Sequence, residues 1–193
     1  MDETDLVSRS QRGDLASFNQ LVEVYQAQVY NLALRMLSGI AEAQDVTQET
    51  FIAAFHAIKS FRGGDLRVWL LRIAANRCRD ELRKRRRRPT ASLDAILLDP
   101  QAPAFGSPEP GPENHVLRDE LAQCINRGLA SIPEDQRLAV ILSDVQGLSY
   151  EEIAGVMNTS LGTVKSRISR GRAHLRSYLM AQGELLPGQY RHD

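Results

Sequence analysis

The sequence predicts an all-α protein made of two small helical domains that are joined by a proline-rich linker. Three observations support this fold class. Apolar residues recur three and four positions apart through most of the chain, which is the spacing of one buried helix face. Residues 89–112 contain six prolines, and neither a helix nor a central strand tolerates that density. Later in the chain, Ser149 and Glu152 mark a helix start shortly before another helix, which indicates a helix-turn-helix in the C-terminal domain.

Composition and the positions of the prolines set the domain boundaries. We expect a first domain at residues 1–89, a flexible linker at 90–112, a helix-turn-helix domain at 113–183 and a tail at 184–193. With 193 residues, of which 42% are hydrophobic, the chain can form ordinary small cores. Cys78 and Cys124 each stand alone among apolar residues, so we interpret both as buried thiols and expect no metal, disulfide or cofactor.

Hydropathy argues against a membrane protein, and the charge distribution indicates several partners. Apolar runs such as 139–142 are far too short to cross a bilayer, and the acidic start is unlike a signal peptide, so we expect a cytoplasmic protein without membrane insertion.

The 24 basic and 24 acidic residues cancel in sum, yet the net charge is −4 over 1–60, +8 over 61–90, −6 over 91–135 and +2 over 136–193. This segregation indicates separate surfaces for separate partners.

Two amphipathic helices are predicted at the start of the first domain. The first covers residues 18–33, where apolar residues at helical spacing form one buried face. The second runs from Ala41 to about Phe61, and Val46, Phe51 and Ala54 supply its core side. Four further residues of this helix fall at i, i+3, i+4 and i+7 and form one stripe, which we call the acidic stripe: Asp45, Gln48, Glu49 and Ile52.

A third predicted helix, from about Val68 to Arg88, has the most uneven charge distribution in the chain. One face carries five polar or cationic residues and is bordered by an aromatic residue: Arg72, Asn76, Arg79, Arg83, Arg86 and Trp69. A solvated basic helix end that complements the helix dipole would explain the run at 83–88 alone. It would not explain the upstream cations on the same face. We therefore interpret this face as a nucleic-acid surface, because cations bind phosphates and an aromatic ring stacks on an unpaired base.

The second domain is predicted to contain four helices. One is centred on residues 117–129, and another starts near Pro133 and stops at Gly147. Ser149 and Glu152 then form a capping box for a short helix at 150–157, which a turn at 158–162 connects to a final helix from about Thr163 to Leu179. This helix, turn and helix have the spacing of a DNA-binding helix-turn-helix.

The outward face of the final helix has the composition that a major-groove helix needs. Val164, Ile168 and Gly171 fall on the inner side, and no acidic residue occurs between 163 and 179, whereas a plain bundle helix would mix glutamate with lysine. An arginine on this face can bind guanine bidentately, and short side chains let the backbone approach the bases. We predict DNA contacts from Lys165, Ser166, Arg167, Ser169, Arg170 and Ala173.

Two other classes of function compete with these predictions. A repressor or response regulator could use the same helix-turn-helix without a polymerase, but no segment suggests a receiver domain or a ligand pocket. An enzyme is disfavoured because the chain has no phosphate-binding loop, no nucleophile elbow and no cluster of its four scattered histidines.

Taken together, the motifs of both domains resemble the extracytoplasmic-function (group IV) class of sigma factors of the sigma-70 family. In the first domain the resemblance lies in AQDVTQETF at 43–51, FRGG at 61–64 and WLLRIAAN at 69–76. In the second domain it lies in IPEDQR at 132–137, GLSYEEIA at 147–154 and GTVKSR at 162–167. Their order and spacing cover nearly the whole chain.

The resemblance implies a function and a role for each surface. A sigma factor binds core RNA polymerase, recognises the −35 and −10 promoter elements and helps to melt the −10 region. The acidic stripe would bind the β′ clamp of the polymerase, which also contacts the chain through β. The loop from Arg62 onward would capture a flipped base, and the −10 residues would be Arg62, Trp69, Arg72, Asn76, Arg79 and Arg83. Ser166 and Arg170 would read −35 bases.

The resemblance also suggests how the protein is regulated. Members of this class commonly serve a stress or envelope response. They are often held inactive by an anti-sigma factor that is wedged between the two domains, and a flexible linker would permit that closed arrangement.

Overall fold

The computed structural model describes residues 2–87 and 112–181, and every regular element in these ranges is helical. The predicted all-α class is therefore confirmed. Apart from Pro112, the predicted linker at 90–112 lies outside the described residues, and so does the tail at 184–193. None of the described helices combines the length and the apolar character that crossing a membrane requires.

The first half consists of four α-helices and a short 3-10 turn. Their bounds are α1 Glu3–Gln11, α2 Leu15–Leu37, α3 Ile40–Ala57, the 3-10 turn Ile58–Ser60 and α4 Leu66–Arg87. Asp14 caps α2, because its side chain accepts hydrogen bonds from the backbone amides of Ala16 and Ser17. At the other end Ser38 adopts a left-handed conformation with φ of 59°, which stops α2 before α3 begins.

The second described range, residues 112–181, also contains four α-helices. They are α5 Pro112–Ser131, α6 Glu134–Val140, α7 Tyr150–Met157 and α8 Leu161–Ala181, with a π-helical turn at Ile141–Val145. The capping box at the start of α7 is confirmed: the Ser149 hydroxyl accepts from the Glu152 amide at 3.2 Å, and the Glu152 carboxylate accepts from the Ser149 amide at 2.7 Å. Asn158, with φ of 50°, ends α7 and allows α8 to start three residues later.

The predicted helices all occur, with two differences from the sequence analysis. Helix α1 was not predicted, because it is short and polar and buries only Leu6 and Ser10. The helix that starts near Pro133 was predicted to continue to Gly147, but its second half is the π-helical turn. Both cysteines are buried and free, as expected, and burial raises the pKa of the Cys78 thiol to about 12.

The two helical halves pack directly against each other and share one hydrophobic core. Helix α4 lies against α7, while α2 contacts α5 and α6. Polar bonds accompany this packing: Arg137 of α6 donates to the carbonyl of Met36 at 2.7 Å, and the buried Gln146 donates to the carbonyl of Gln28 at 3.1 Å. The sequence predicted the two groups of helices but not this contact between them.

Candidate nucleic-acid and polymerase interfaces

The acidic stripe lies on the solvent-exposed side of α3. Asp45, Gln48 and Glu49 are exposed, and Ile52 keeps 52% of its surface exposed. The stripe has this orientation because the opposite side of α3 is apolar and packs into the core through Ala43, Val46, Phe51 and Ala54. All four predicted residues therefore share one accessible face.

An apolar groove of about 720 Å³ runs between α2 and α3 beside the acidic stripe. Phe18, Val22, Phe51 and Phe55 line its floor, while Gln48 and Ile52 border it. Phe18 and Phe55 hold each other edge to face, with ring centroids 5.0 Å apart. The α2 side of this surface was not predicted from the sequence, because the apolar residues of the helix at 18–33 were assigned only to its buried face. Partly exposed apolar residues next to acids are the composition of a protein-binding surface.

In the loop between the 3-10 turn and α4, Arg62 is exposed to solvent. Trp69, in the first turn of α4, packs beside this loop. Gly63 and Gly64 have φ of 98° and 97°, a conformation that glycine adopts easily, so the chain can turn sharply here. The Trp69 ring packs on Phe61 with centroids 5.3 Å apart. Together with Arg72 these residues line a pocket of about 530 Å³, whose far wall belongs to α7.

Gln11 of α1 supports this loop and was not identified from the sequence. Its side-chain amide donates to the carbonyls of Ile58 and Phe61, at 3.2 and 2.9 Å. One acceptor begins the 3-10 turn and the other directly follows it, so Gln11 fixes the backbone from which Arg62 projects. A lone glutamine in a polar helix gives no signal in the sequence, because its partners lie about 50 residues away.

Four −10 candidates lie along α4, and two of them contact the second half. Asn76 is exposed, and Arg83 is exposed beside Asp80 at 3.2 Å. Arg72 donates to the carbonyl of Gly155 in α7 at 2.6 Å, and Arg79 forms an ion pair with Asp135 of α6 at 3.2 Å. The face that was predicted from the helical wheel therefore exists, but α6 and α7 cover part of it.

The −35 candidates on α8 are mostly open to solvent. Lys165, Ser169, Arg170 and Ala173 are exposed, whereas Ser166 and Arg167 are partly buried. The guanidinium of Arg170 lies along the helix surface and donates to the Ser166 hydroxyl at 2.5 Å. Arg167 differs from the others, because it forms an ion pair with Asp135 at 2.5 Å.

The inner side of α8 holds this face in place. Val164, Ile168 and Gly171 are buried, as the sequence analysis expected. Arg172 adds an ion pair with Asp144 at 2.5 Å, which ties α8 to the π-helical turn. The Asp144 hydrogen bond raises the pKa of Arg172, and the pKa of Asp144 is lowered because its bonds to Arg172 and Ser143 outweigh burial.

These surfaces are suited to binding and positioning polyanions and a protein partner. Guanidinium groups on α4 and α8 can bind phosphates, and Trp69 with Phe61 can stack on an unpaired base. Among the described residues, no group of three or more histidine, cysteine or acidic side chains could hold a metal ion.

Comparison with known proteins agrees with these features. The sequence pattern of Sigma-70 region 2 matches residues 21–88, and that of Sigma-70, region 4 matches residues 122–175. The chain is 44% identical over 170 residues to the ECF RNA polymerase sigma-E factors of Escherichia coli (strain K12) and Salmonella typhimurium (strain LT2), covering 86% of this chain and 88% of each relative. It is 41% identical over 173 residues to the RNA polymerase sigma-H factor of Pseudomonas aeruginosa, with the same coverages.

Two solved structures have the same fold over most of their length. One is the sigma factor RpoE in complex with the anti-sigma factor NepR from Bartonella quintana, with a TM-score of 0.69, 27% identity and coverage of 86% of this chain and 98% of that chain. The other is CnrH in complex with the cytosolic domain of CnrY, with a TM-score of 0.68, 27% identity and coverage of 93% and 99%. The chain therefore belongs to the extracytoplasmic-function sigma factors, which bind core RNA polymerase and promoter DNA and direct promoter-specific transcription initiation.

Proposed function

We propose that the three surfaces have separate roles in promoter recognition: one binds polymerase, one holds the −10 strand and one reads the −35 duplex. Asp45, Gln48, Glu49 and Ile52 bind the β′ clamp of core polymerase. The melted −10 strand is held by Arg62, Trp69, Arg72, Asn76, Arg79 and Arg83. The −35 duplex is read by Lys165, Ser166, Arg167, Ser169, Arg170 and Ala173. The protein acts by binding, not as an enzyme, and it works where the polymerase works, in the cytoplasm.

The exposed acidic stripe beside the α2–α3 groove is the observation that carries this assignment. Cationic faces on α4 and α8 alone would suit any DNA-binding regulator. An exposed isoleucine next to Asp45 and Glu49, at the edge of an apolar groove, instead fits a protein partner with a basic and apolar face. A repressor that works without polymerase has no use for this surface.

Charge reversal on the stripe tests the polymerase assignment. Glu49→Lys should abolish co-elution with core polymerase in gel filtration, because it places a cation where the partner is expected to be basic. Affinity for a −35 duplex should stay unchanged, because α8 lies in the other half. Glu23→Lys is the matched control, since Glu23 is exposed on α2 but does not line the groove. Equal co-elution of the two variants would contradict the assignment.

We also propose that a small anti-sigma protein holds the chain inactive and releases it in a stress or envelope response. The two similar solved structures are complexes of a sigma factor with such a partner or with the cytosolic domain of CnrY. Because the two halves of this chain contact each other directly, the partner covers them from outside instead of lying between them. Mass spectrometry of proteins that co-purify with the tagged chain tests this, and repeated absence of a small partner would contradict it.

A further inference from the structure

Helix α1 contacts the loop that carries Arg62, although α1 lies outside the residues that the Sigma-70 region 2 pattern matches. We call residues 61–65 the −10 loop; they connect the 3-10 turn to α4. The −10 loop lines two pockets. One is shared with Trp69 of α4, and the other, of about 430 Å³, is shared with Ser8 and Gln11 of α1. The −10 loop is therefore in contact with α1 as well as with α4.

Two adjacent glycines give the −10 loop a conformation that its own side chains do not hold. Gly63 and Gly64 both have positive φ, and a Cβ at either position would meet no atom within 4 Å. Such a segment loses much backbone entropy when it is ordered, unless its ends are already fixed. One end is fixed at the start of α4, where the Asp65 carboxylate accepts from the amide of Val68 at 3.3 Å. The support at the other end comes from α1.

Gln11 fixes this other end with both hydrogens of its side-chain amide. They serve the carbonyls of Ile58 and Phe61, which a glutamine can do because its NH₂ group has two donors. Phe61 is the residue from which the chain continues to Arg62, and its ring packs on Trp69. By holding the backbone of Phe61, Gln11 sets the origin of the arginine and the position of the aromatic pair.

We infer that Gln11 is a positioning residue for the −10 strand, which keeps Arg62 and the Phe61–Trp69 pair in place before the strand arrives. This inference rests on the proposed function, because it takes Arg62 and Trp69 as contacts of the melted strand. Without the two bonds the −10 loop must be ordered while it binds, and the lost entropy opposes capture of the strand. Binding to polymerase and to the −35 duplex uses α3 and α8 and does not depend on these bonds.

The substitution Gln11→Met tests the inference in the complex of the full-length chain with core polymerase. Methionine keeps the length and flexibility of the side chain but cannot donate a hydrogen bond. The template is a duplex promoter that the wild-type complex selects from a random-sequence library by run-off transcription. Permanganate reactivity of unpaired thymines measures how fast this promoter opens. Gln11→Met should open it more slowly, on the order of tenfold, which is the effect of losing two ordinary hydrogen bonds.

Gln20→Met is the matched control, because Gln20 is exposed on α2 and lines neither the groove nor the −10 loop. It should open the promoter at the wild-type rate. Both variants should co-elute with core polymerase and bind a −35 duplex as the wild type does, which shows that they are folded. Equal opening rates for Gln11→Met and Gln20→Met would overturn the inference.

A second template separates strand capture from later steps. It is the same promoter with mismatches that keep the −10 region unpaired. Melting no longer competes with capture on this template, so saturating amounts of the wild-type and Gln11→Met complexes should initiate at similar rates. An equal deficit of Gln11→Met on both templates would place the defect after capture and contradict the positioning role.

Gln11→Glu distinguishes hydrogen bonding from space filling. Glutamate has nearly the shape of glutamine, but it turns a carboxylate oxygen toward the two carbonyls, so opening should be slower than in Gln11→Met. If Gln11→Glu opens the duplex promoter as fast as the wild type, the amide acts only by its size, and the inference is wrong.

Trp69→Ala separates failure of this inference from failure of the proposed function. If Trp69→Ala opens the duplex promoter as fast as the wild type, the α4 face does not hold the −10 strand, and the proposed function fails whatever Gln11 does. If Trp69→Ala is slow but Gln11→Met is as fast as the wild type, the proposed function stands and only the positioning role of Gln11 is overturned.

Discussion

Arg170 and Lys165 are both exposed cations on α8, yet their chemistry predicts different roles. Arg170 carries a planar guanidinium beside Ser166, which can bind a guanine edge bidentately. Arg170→Ala should cost roughly 1 to 3 kcal/mol in −35 duplex binding, and the loss should disappear when one particular base pair is replaced. Binding assays on duplexes that differ at single positions measure this.

Lys165→Ala is the matched comparison for this prediction. A lysine that binds phosphate weakens binding to all sequences alike and lowers the salt dependence by about one ion. An equal loss on every duplex for Arg170→Ala would contradict its base-reading role.

Asp14 should make the stability of the folded chain depend on pH. The hydrogen bonds from Ser17 and the guanidinium of Arg9 lower its pKa from 3.8 to about 2. Because the pKa is lower in the folded state, the stabilisation is complete above pH 3.8 and disappears as the pH falls toward about 2. Asp14→Asn should keep the helix cap but lose this dependence. Thermal unfolding of both proteins between about pH 5 and pH 2 measures the difference, and parallel curves would contradict the prediction.

At the scale of elements, alanine substitutions at two glycines should affect the free energy of unfolding differently, because one glycine is closely packed and the other faces open space. A Cβ at Gly171 of α8 would lie 2.6 Å from the Val140 side chain and 3.0 Å from the carbonyl oxygen of Gln136. Val140 is buried, and the oxygen belongs to backbone, so neither can move easily. Gly171→Ala should therefore lower the free energy of unfolding by about 1 to 2 kcal/mol, since overpacking outweighs the gain in helix propensity.

Gly155→Ala on α7 is the control, because a Cβ there meets no atom within 4 Å. It should be neutral or stabilising by up to about 1 kcal/mol. Denaturant unfolding compares the two variants. A stabilised Gly171→Ala would mean that α6 and α8 are packed less closely than described.

The elements also explain which features the sequence could predict. Helices α2, α3, α4 and α8 follow from local spacing of apolar residues, and α7 follows from its capping box, because these signals lie within one or two helical turns. Helix α1 is too polar and short to give such a signal. The contact between α4 and α7 could not be predicted either, because Arg72 and Gly155 are 83 residues apart in sequence and each looks exposed on its own helix. The role of Gln11 was hidden for the same reason.

At the scale of the whole molecule, the core that both halves share predicts cooperative unfolding. Buried residues of α2, α4, α6 and α8 belong to one continuous apolar cluster, so opening one half exposes apolar surface of the other. We expect a single transition in calorimetry, with equal calorimetric and van't Hoff enthalpies. Two resolved transitions would show instead that the halves unfold independently.

Acidic residues of α6 lie over part of the cationic face of α4. Residues 61–90 carry a net charge of +8, and an open surface of that kind binds polyanions of any sequence. Ribosomal and messenger RNA would compete for it throughout the cell. Because Glu134 and Asp135 of α6 pair with Arg86 and Arg79, they neutralise part of this charge and should lower the affinity of the chain for RNA.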